Sequence, residues 1–246
     1  MSPLLKFTVQ DCYAWSPGRV DLAARASSAM QNRDVSGERG AEIALPAMLR
    51  RRLTQSGQLL MKAALTCAGN RQDVRYVLAT RDGELTRTLN ILAAIAQDEL
   101  PSPADFSVSV HHALLGLLSI HTKNKAGHTA VSAGADSFAY GLLEAAGCLT
   151  QPDDEPVLLL YCDEPLPGPY VAFEETEAPR QPLVLALLLG KPAAARDAFG
   201  LHFSTEQVRA ARTPCLAHDF LEFMLSDRKQ QTAVGTDMTW EWSRAA

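Results

Sequence analysis

The stretch Thr129–Ala146, TAVSAGADSFAYGLLEAA, decides the fold class, because it joins a strand to a helix through a turn of small residues. His128–Val131 predicts the short strand. From Ala133 to Leu149, the spacing of the apolar side chains predicts a helix with one broad apolar face. Ala139 and Gly141 place small residues on other faces of this helix, so we expect neighbouring elements to pack against it on several sides.

Three further segments predict strands of a sheet. Pro156–Tyr161 and Pro182–Leu189 are entirely apolar, as in strands that helices cover on both faces. Asp73–Thr80 predicts a third strand, since its side chains alternate. Together with the helical patterns between them, these segments predict the α/β class, with a mixed sheet covered by helices.

The rest of the chain predicts one more strand, four more helices and a polar C-terminal region. The strand is Leu4–Val9 and the helices are Leu49–Ala68, Thr86–Gln97, Ser107–Ile120 and Thr213–Leu225. Ser107–Ile120 is almost uncharged, so we expect that helix to be buried, and the polar segment Arg19–Glu42 predicts a loop. Trp240 and Trp242 alternate with Glu241, which indicates an edge strand or a docking tail that covers apolar surface, either of a partner or of this chain's own core.

The composition limits the class of protein. Of the 246 residues, 47% are hydrophobic and 21% are charged, which is enough for one large or two small domains. The net charge of -5 argues against a nucleic-acid partner, which requires a basic surface. The longest apolar run, Leu183–Leu189, is too short to cross a bilayer, and the N-terminus lacks the features of a signal peptide. We therefore expect a cytoplasmic protein without membrane insertion.

The cysteines and histidines predict neither disulfides nor a metal site. Five cysteines without paired or C-x-x-C spacing predict free thiols in a reducing compartment. Cys67, Cys148 and Cys162 have apolar neighbours, which is typical of small core residues. His121 and His128 lack the spacing of a zinc site. We expect no metal and no cofactor.

Five segments of the chain occur in an order and spacing that resembles a family of condensing enzymes. They are Tyr76–Glu84, Phe106–Ala113 (FSVSVHHA), Gly116–Ile120 (GLLSI), the turn Thr129–Gly134 and Val157–Tyr161 (VLLLY). With them the chain resembles the ketosynthase-like chain-length-factor subunits of aryl polyene biosynthesis, which are short proteins equivalent to the N-terminal half of a β-ketoacyl synthase of the thiolase superfamily. The resemblance covers about residues 4–190. It implies an incomplete thiolase-like fold in a single domain, 1–246, with 191–246 as a C-terminal extension.

The resemblance places Val131 where a working ketosynthase carries its nucleophilic cysteine. The N-terminus of a buried helix favours a thiolate through its free N–H groups and its dipole, and an alkyl side chain can do none of that chemistry. A working ketosynthase also has a second half with two histidines and a glycine-rich turn, and this sequence shows no such turn. The resemblance therefore implies a degenerate ketosynthase that is not an enzyme by itself.

In that family, such a subunit forms a heterodimer with a full-length ketosynthase and helps shape its acyl tunnel. The resemblance implies this partner here, and an acyl carrier protein that reaches the complex with chains for polyene- or fatty-acid-type elongation. The complex would be the acyltransferase. The segment His111–Leu118 aligns with the ketosynthase stretch at the interface and tunnel, and its candidate residues are His111, His112, Ala113, Leu114, Leu115 and Leu117.

A stand-alone serine hydrolase is the alternative. Ala130–Gly134 reads A-x-S-x-G, close to the nucleophile elbow G-x-S-x-G, which also lies between a strand and a helix. Ser132 would be the nucleophile, with Asp163 and either His202 or His218 following in the required chain order. The first glycine of the elbow is alanine here, and the sequence has no HGGG-type oxyanion segment.

Arg50, Arg51 and Arg52 form the densest run of positive charge in the chain. Such a run either attracts an acidic carrier protein or is only a solvated helix face. The sequence leaves both interpretations open.

Overall fold

The computed structural model describes residues 5–18, 43–69, 71–151, 156–174, 180–194, 198–206 and 210–244. Within these ranges, eight strands form one sheet. They are β1 (Leu5–Trp15), β2 (Arg75–Ala79), β3 (His128–Val131), β4 (Val157–Asp163), β5 (Leu183–Gly190), β6 (Phe199–Ser204), β7 (Gln230–Val234) and β8 (Thr239–Arg244). Their order across the sheet is β3-β2-β4-β5-β1-β6-β8-β7. β2 is parallel to β3 and to β4, and the other neighbours are antiparallel.

Seven α-helices and a 3-10 helix lie in the same ranges. They are α1 (Ala47–Arg52), α2 (Gln55–Ala68), α3 (Leu85–Ala96), α4 (Pro103–Val108), α5 (Ala113–Thr122), α6 (Ser137–Cys148), α7 (Leu216–Met224) and the 3-10 helix Gly168–Phe173. The predicted α/β class with a mixed, helix-covered sheet is confirmed. No helix in the described ranges is long and apolar enough to cross a membrane.

Helices cover both faces of the sheet. Successive side chains of β2 point to opposite sides, so Val77 and Ala79 pack with α6 and α7, whereas Tyr76 and Leu78 pack with α1, α2 and α5. Every residue of β5 is buried. The entirely apolar runs are therefore central strands, as their composition predicts.

Helix α6 lies close against the centre of the sheet. Phe138, Leu142 and Ala145 on this helix are almost completely inaccessible to solvent. Gly141 lets the backbones approach, because a Cβ at this position would clash with Ala79 on β2. The prediction that this helix is packed on several sides agrees with this geometry.

Strand β1 holds the two ends of the sheet together. Its residues Thr8–Trp15 pair with β5, and Leu5–Phe7 pair with β6, with an irregularity in the register between Val9 and Asp11. A bulge of this kind bends a strand and increases its twist. Because β1 pairs with both β5 and β6, the strands β6, β8 and β7 belong to the same sheet as β3, β2, β4 and β5.

Two helices that the sequence predicts as continuous are each divided. Leu49–Ala68 breaks between α1 and α2, because the Thr54 hydroxyl accepts a hydrogen bond from the Gly57 N–H at 3.1 Å and begins a new helix. Ser107–Ile120 breaks between α4 and α5. The hydroxyls of Ser107 and Ser109 donate to nearby backbone carbonyls there, which offers the backbone an alternative to the helix.

Helix α6 begins at Ser137, four residues later than the sequence predicts. Gly134 has a φ of +56°, which a helix does not accept. The Ser137 hydroxyl accepts from the Ala133 N–H at 2.9 Å and donates to the Gly134 carbonyl at 2.7 Å. These bonds satisfy the Ala133 N–H and the Gly134 carbonyl, so the turn is stabilised without being part of the helix.

The interpretation of the C-terminal region as a polar tail is wrong. It forms the β7–β8 hairpin, and β8 lies between β6 and β7 instead of at an edge. Trp240 and Trp242 are fully buried and pack edge-on against Tyr140 at 5.0 Å and Phe220 at 5.4 Å between ring centroids. They belong to the chain's own core. Strand β6 and the 3-10 helix were not predicted, and the loop predicted for Arg19–Glu42 lies outside the described residues.

Candidate functional site

The turn from β3 into α6 holds the position that the sequence analysis assigns to a nucleophile. Val131 is the last residue of β3 and packs its half-buried side chain against the core that contains α6 and α7. An isopropyl group has no lone pair to attack a thioester. Burial raises the pKa of the Cys148, Cys162 and Cys215 thiols, so these sulfurs are poor substitutes for a reactive thiolate.

The residues of the hydrolase alternative do not form a triad. The Ser132 hydroxyl donates to the backbone carbonyl of Arg81 at 2.8 Å. Asp163 accepts hydrogen bonds from Tyr161 at 3.3 Å and Arg180 at 3.4 Å. His218 faces Glu222 on its own helix at 3.9 Å. The structure therefore gives Ser132 no histidine base through these contacts.

The C-terminal hairpin closes over the start of α6. Asp136 is buried at the N-terminus of this helix, and its carboxylate accepts from the Thr236 N–H at 2.8 Å and from the Trp240 indole N–H at 3.3 Å. A Cβ at Gly235 would clash with this carboxylate. The hairpin turn thus lies directly against the start of α6, where the turn from β3 ends.

Arg180 joins three carboxylates at the carboxyl ends of β2 and β4. Its guanidinium donates to Asp82 at 2.7 Å, to Glu174 at 2.9 Å and to Asp163 at 3.4 Å. The Glu174 carboxylate also accepts from the Leu166 N–H at 2.9 Å. One cation therefore fixes the segment around the 3-10 helix to the turn that follows β2.

The carboxyl groups of this network ionise unequally. Burial raises the pKa of Asp163 to about 6, against the lowering effect of Arg180, and the negative charge of Asp82 adds to the increase. Burial also opposes the ionisation of Glu174, but hydrogen bonds from Leu166 and Arg180 bring its pKa below the ordinary value. Of Asp163 and Glu174, Asp163 is therefore the carboxyl group that keeps its proton to the higher pH.

The segment His111–Leu118 divides between surface and core. His111 and His112 are exposed, whereas Ala113, Leu114 and Leu115 are buried within this chain. Leu117 is half-buried, and nothing lies within 4 Å of a Cβ built at Gly116. The imidazole ring of His112 lies nearly parallel to that of His128, with 6.4 Å between centroids. The tunnel role of the segment stays a prediction.

Exposed large apolar residues lie on three successive helices and their connections, and the sequence did not predict their exposure. Helix α3 has the periodicity of an amphipathic helix, yet none of its residues is buried. The exposed large apolar residues of α3 to α5 and their connections are Leu92, Ile95, Leu100, Phe106, Val110 and Ile120. We call these six residues the α3–α5 surface. Periodicity predicts the apolar face of α3, but no sequence signal shows that the chain itself leaves this face uncovered.

Strand β3 is an edge of the sheet. It pairs with β2 on one side, and its other side has no partner strand in the described part of the chain. Its four residues, His128–Val131, are uncharged or weakly basic and half-buried. An unpaired, uncharged edge offers backbone donors and acceptors to a partner.

These features agree with the family to which the chain belongs. The model of the β-ketoacyl synthase N-terminal domain matches residues 24–243, so the chain is a member of this family. The resemblance to short ketosynthase-like proteins of the thiolase superfamily, and the thiolase-like fold that it implies, are confirmed.

Among solved structures, the chain matches one chain of the ketosynthase ApeO in complex with its chain length factor ApeC, from Xenorhabdus doucetiae. The two are 30% identical with a TM-score of 0.79, over 98% of this chain and 100% of that one. A match to the ishigamide ketosynthase/chain length factor has 15% identity and a TM-score of 0.61, over 81% of this chain and 67% of that one. A match to AntDE:AntF, a type II acyl-carrier protein in complex with its ketosynthase bound to the hexaketide, has 15% identity and a TM-score of 0.59, over 82% and 70%. At 15% identity, the last two matches show only that the fold is shared. No curated protein matches the chain.

Proposed function

We propose that this chain is the non-catalytic, chain-length-factor-like subunit of a ketosynthase heterodimer. The observation that carries the proposal is α3, an amphipathic helix without a single buried residue, which holds Leu92 and Ile95 of the α3–α5 surface. A protein surface with this many exposed large apolar residues is typical of a binding site for another protein. The match over the full length of one chain in a complex of ketosynthase and chain length factor supports the same kind of partner here.

The partner supplies the condensation chemistry in this proposal. Val131 offers no nucleophile, and the hairpin turn at Gly235 and Thr236 lies against the start of α6. The chain therefore contributes interface and shape, and an active ketosynthase contributes the cysteine and both histidines. An acyl-carrier protein, as named in one of the related complexes, presents the growing polyene-type chain to the heterodimer.

The exposed side of α5 is the part of the chain that we assign to the acyl tunnel of the partner. The space beside Gly116 is open, and Leu117 is half-buried against this chain's core, whereas Leu114 and Leu115 are fully part of that core. An apolar wall stabilises an acyl chain by roughly 0.8 kcal/mol for each CH₂ that it removes from water. Side chains at positions 116 and 117 would thus set how many carbon units the tunnel accepts.

Co-expression and co-purification with a candidate full-length ketosynthase test the heterodimer. We expect a 1:1 complex that buries well over ~2,000 Å², and poor solubility or self-association of the chain alone. The double variant Leu92→Glu with Ile95→Glu should abolish the complex, because two charges cannot be buried unpaired in an apolar interface. Thr66→Glu on the exposed side of α2 adds a charge away from the α3–α5 surface and should leave it intact. A well-behaved monomer that binds no ketosynthase would contradict the proposal.

A further inference from the structure

Arg75, the first residue of β2, is half-buried and has no acidic counter-ion in the described ranges. Its Nε is inaccessible to solvent and has no hydrogen-bond acceptor among the residues that the structure describes. Its hydrogen bond to the Thr129 hydroxyl measures 3.5 Å, longer than an ordinary N–H···O bond. Because a desolvated charge costs free energy unless it is paired, a counter-ion from outside this chain would stabilise the guanidinium group.

The guanidinium group lies beside the open edge of the sheet. Thr129 is on β3, which has no strand on its other side in the described part of the chain. Gly127 precedes this strand with a φ of +92°, and a Cβ there would lie 3.3 Å from the Arg75 Nη1. The lack of a side chain at Gly127 therefore leaves room for Arg75 next to the edge that another chain can approach.

This edge is continuous with the surface on which we place the ketosynthase partner. His128 is the first residue of β3, and its imidazole ring is nearly parallel to that of His112, at 6.4 Å between centroids. His112 caps α5, and Val110, shortly before it, belongs to the α3–α5 surface. A subunit that covers the α3–α5 surface therefore also reaches the neighbourhood of Arg75.

Glu144 of α6 is the acidic side chain of this chain that lies on the same side, and it does not neutralise Arg75. Its carboxylate is 3.8 Å from the Cys148 Sγ. Burial raises the pKa of the Cys148 thiol and the charge of Glu144 adds to the increase, whereas the charge of Arg75 opposes it. The thiol is thus close to both charges, yet Arg75 and Glu144 form no ion pair with each other in the described ranges.

We propose that a carboxylate of the ketosynthase partner binds the Arg75 guanidinium beside the β3 edge, an inference that rests on the proposed function. Guanidinium groups bind carboxylates through paired, charge-assisted hydrogen bonds. A ketosynthase without an acidic residue at this point would bury Arg75 unpaired, which is costly in an interface. The ion pair therefore makes the chain select its own ketosynthase over related ones.

The dissociation constant of the heterodimer tests the ion pair. Arg75→Gln should weaken the complex about 30-fold or more, mainly through faster dissociation. Arg71→Gln removes the same charge from an exposed position shortly before β2 and should bind as the wild type does. Unfolding of each isolated chain, followed by tryptophan fluorescence at low concentration, should show no loss of stability in Arg75→Gln, because the charge has no counter-ion within the chain.

A carbodiimide cross-link identifies the partner's acidic residue. Arg75→Lys keeps the positive charge and introduces an amine, so the reagent should join it as an amide to the carboxylate that it contacts, and peptide mass spectrometry locates the bond. Exchange of that acidic residue of the ketosynthase for arginine should weaken the complex. Combining the exchange with Arg75→Glu should restore binding.

Two results would overturn the ion pair. One is a dissociation constant of Arg75→Gln equal to that of the wild type. The other is a cross-link from Arg75→Lys to Glu144 of the same chain, with equal losses of stability in isolated Arg75→Gln and Glu144→Gln, because the counter-ion would then be internal. A wild-type chain that binds no ketosynthase would refute the proposed function, and the ion pair with it.

Discussion

Trp240 donates its indole N–H to the Asp136 carboxylate at 3.3 Å, across 104 residues of sequence. The same carboxylate accepts the Thr236 N–H at 2.8 Å. The buried N-terminus of α6 is therefore bound to the C-terminal hairpin by one acidic side chain. The contact joins the C-terminal hairpin to the same apolar core that contains Phe138 of α6.

Asp136→Ala should lower the free energy of unfolding by about 1–3 kcal/mol, because it leaves the buried Trp240 indole N–H without its acceptor. Urea denaturation followed by tryptophan fluorescence measures this loss, and the emission should shift to the red at lower denaturant concentration. Asp237→Ala removes an exposed carboxylate of the same hairpin and serves as the control. Equal stabilities of the two variants would show that the Asp136 contact is not a stabilising one.

Asp163→Asn should stabilise the protein increasingly as the pH rises. The pKa of Asp163 in the folded protein is about 6, above its ordinary value of 3.8. The folded state therefore binds a proton more strongly than the unfolded state, and the resulting stability is complete below about pH 4 and is lost as the pH rises through 6. Asparagine stays neutral and avoids this loss.

The measurement for Asp163→Asn is the free energy of unfolding of both proteins from pH 4 to pH 8. The difference should grow over this range by up to about 3 kcal/mol and be level above pH 7. Asp73→Asn removes an exposed carboxylate and controls for the change in net charge. Parallel stability curves for wild type and Asp163→Asn would contradict the assignment.

Val131→Cys should not create condensing activity in the isolated chain, because a thiol alone lacks the histidines that complete the reaction. Release of CO₂ from malonyl-carrier protein and transfer of an acyl group to the introduced thiol are the readouts. Ser132→Ala should leave product formation by the heterodimer intact. Labelling of Ser132 by a fluorophosphonate, with an esterase activity that Ser132→Ala abolishes, would instead establish the hydrolase.

Leu117→Trp or Gly116→Phe should shorten the products of an intact heterodimer. Blocking the space for one two-carbon unit costs about 1.6 kcal/mol of burial, which is roughly a tenfold shift in length preference. Product length by mass spectrometry is the readout, with the complex verified by gel filtration. Ala113→Phe and Leu115→Trp test a different effect, because both side chains are buried in this chain; they should destabilise it by overpacking. If neither Leu117→Trp nor Gly116→Phe alters product length in an intact complex, the chain acts as a scaffold only.

The central strands and the α/β class can be predicted from local sequence patterns. The candidate site can be predicted only in part. Entirely apolar runs such as Leu183–Leu189 require burial on both faces, so β4 and β5 are predictable from composition. The alternation of Trp240 and Trp242 indicates a strand, but their place in the core depends on contacts with Tyr140 and Phe220, which periodicity cannot supply. Likewise, the pattern of α3 indicates an apolar face. Its exposure depends on what the rest of the chain leaves uncovered, which is a property of the whole fold.

The position of β1 between β5 and β6 has a consequence for synthesis on the ribosome. Thr8 pairs with Gly190 and Leu5 with Leu201, so β1 emerges long before either neighbouring strand exists. Contacts of such high sequence separation form slowly. The buried side chains of β1, among them Phe7 and Val9, therefore stay exposed in the nascent chain while more than half of it is translated. Chaperone protection during translation and proximity to a newly made partner would both favour the native fold over aggregation.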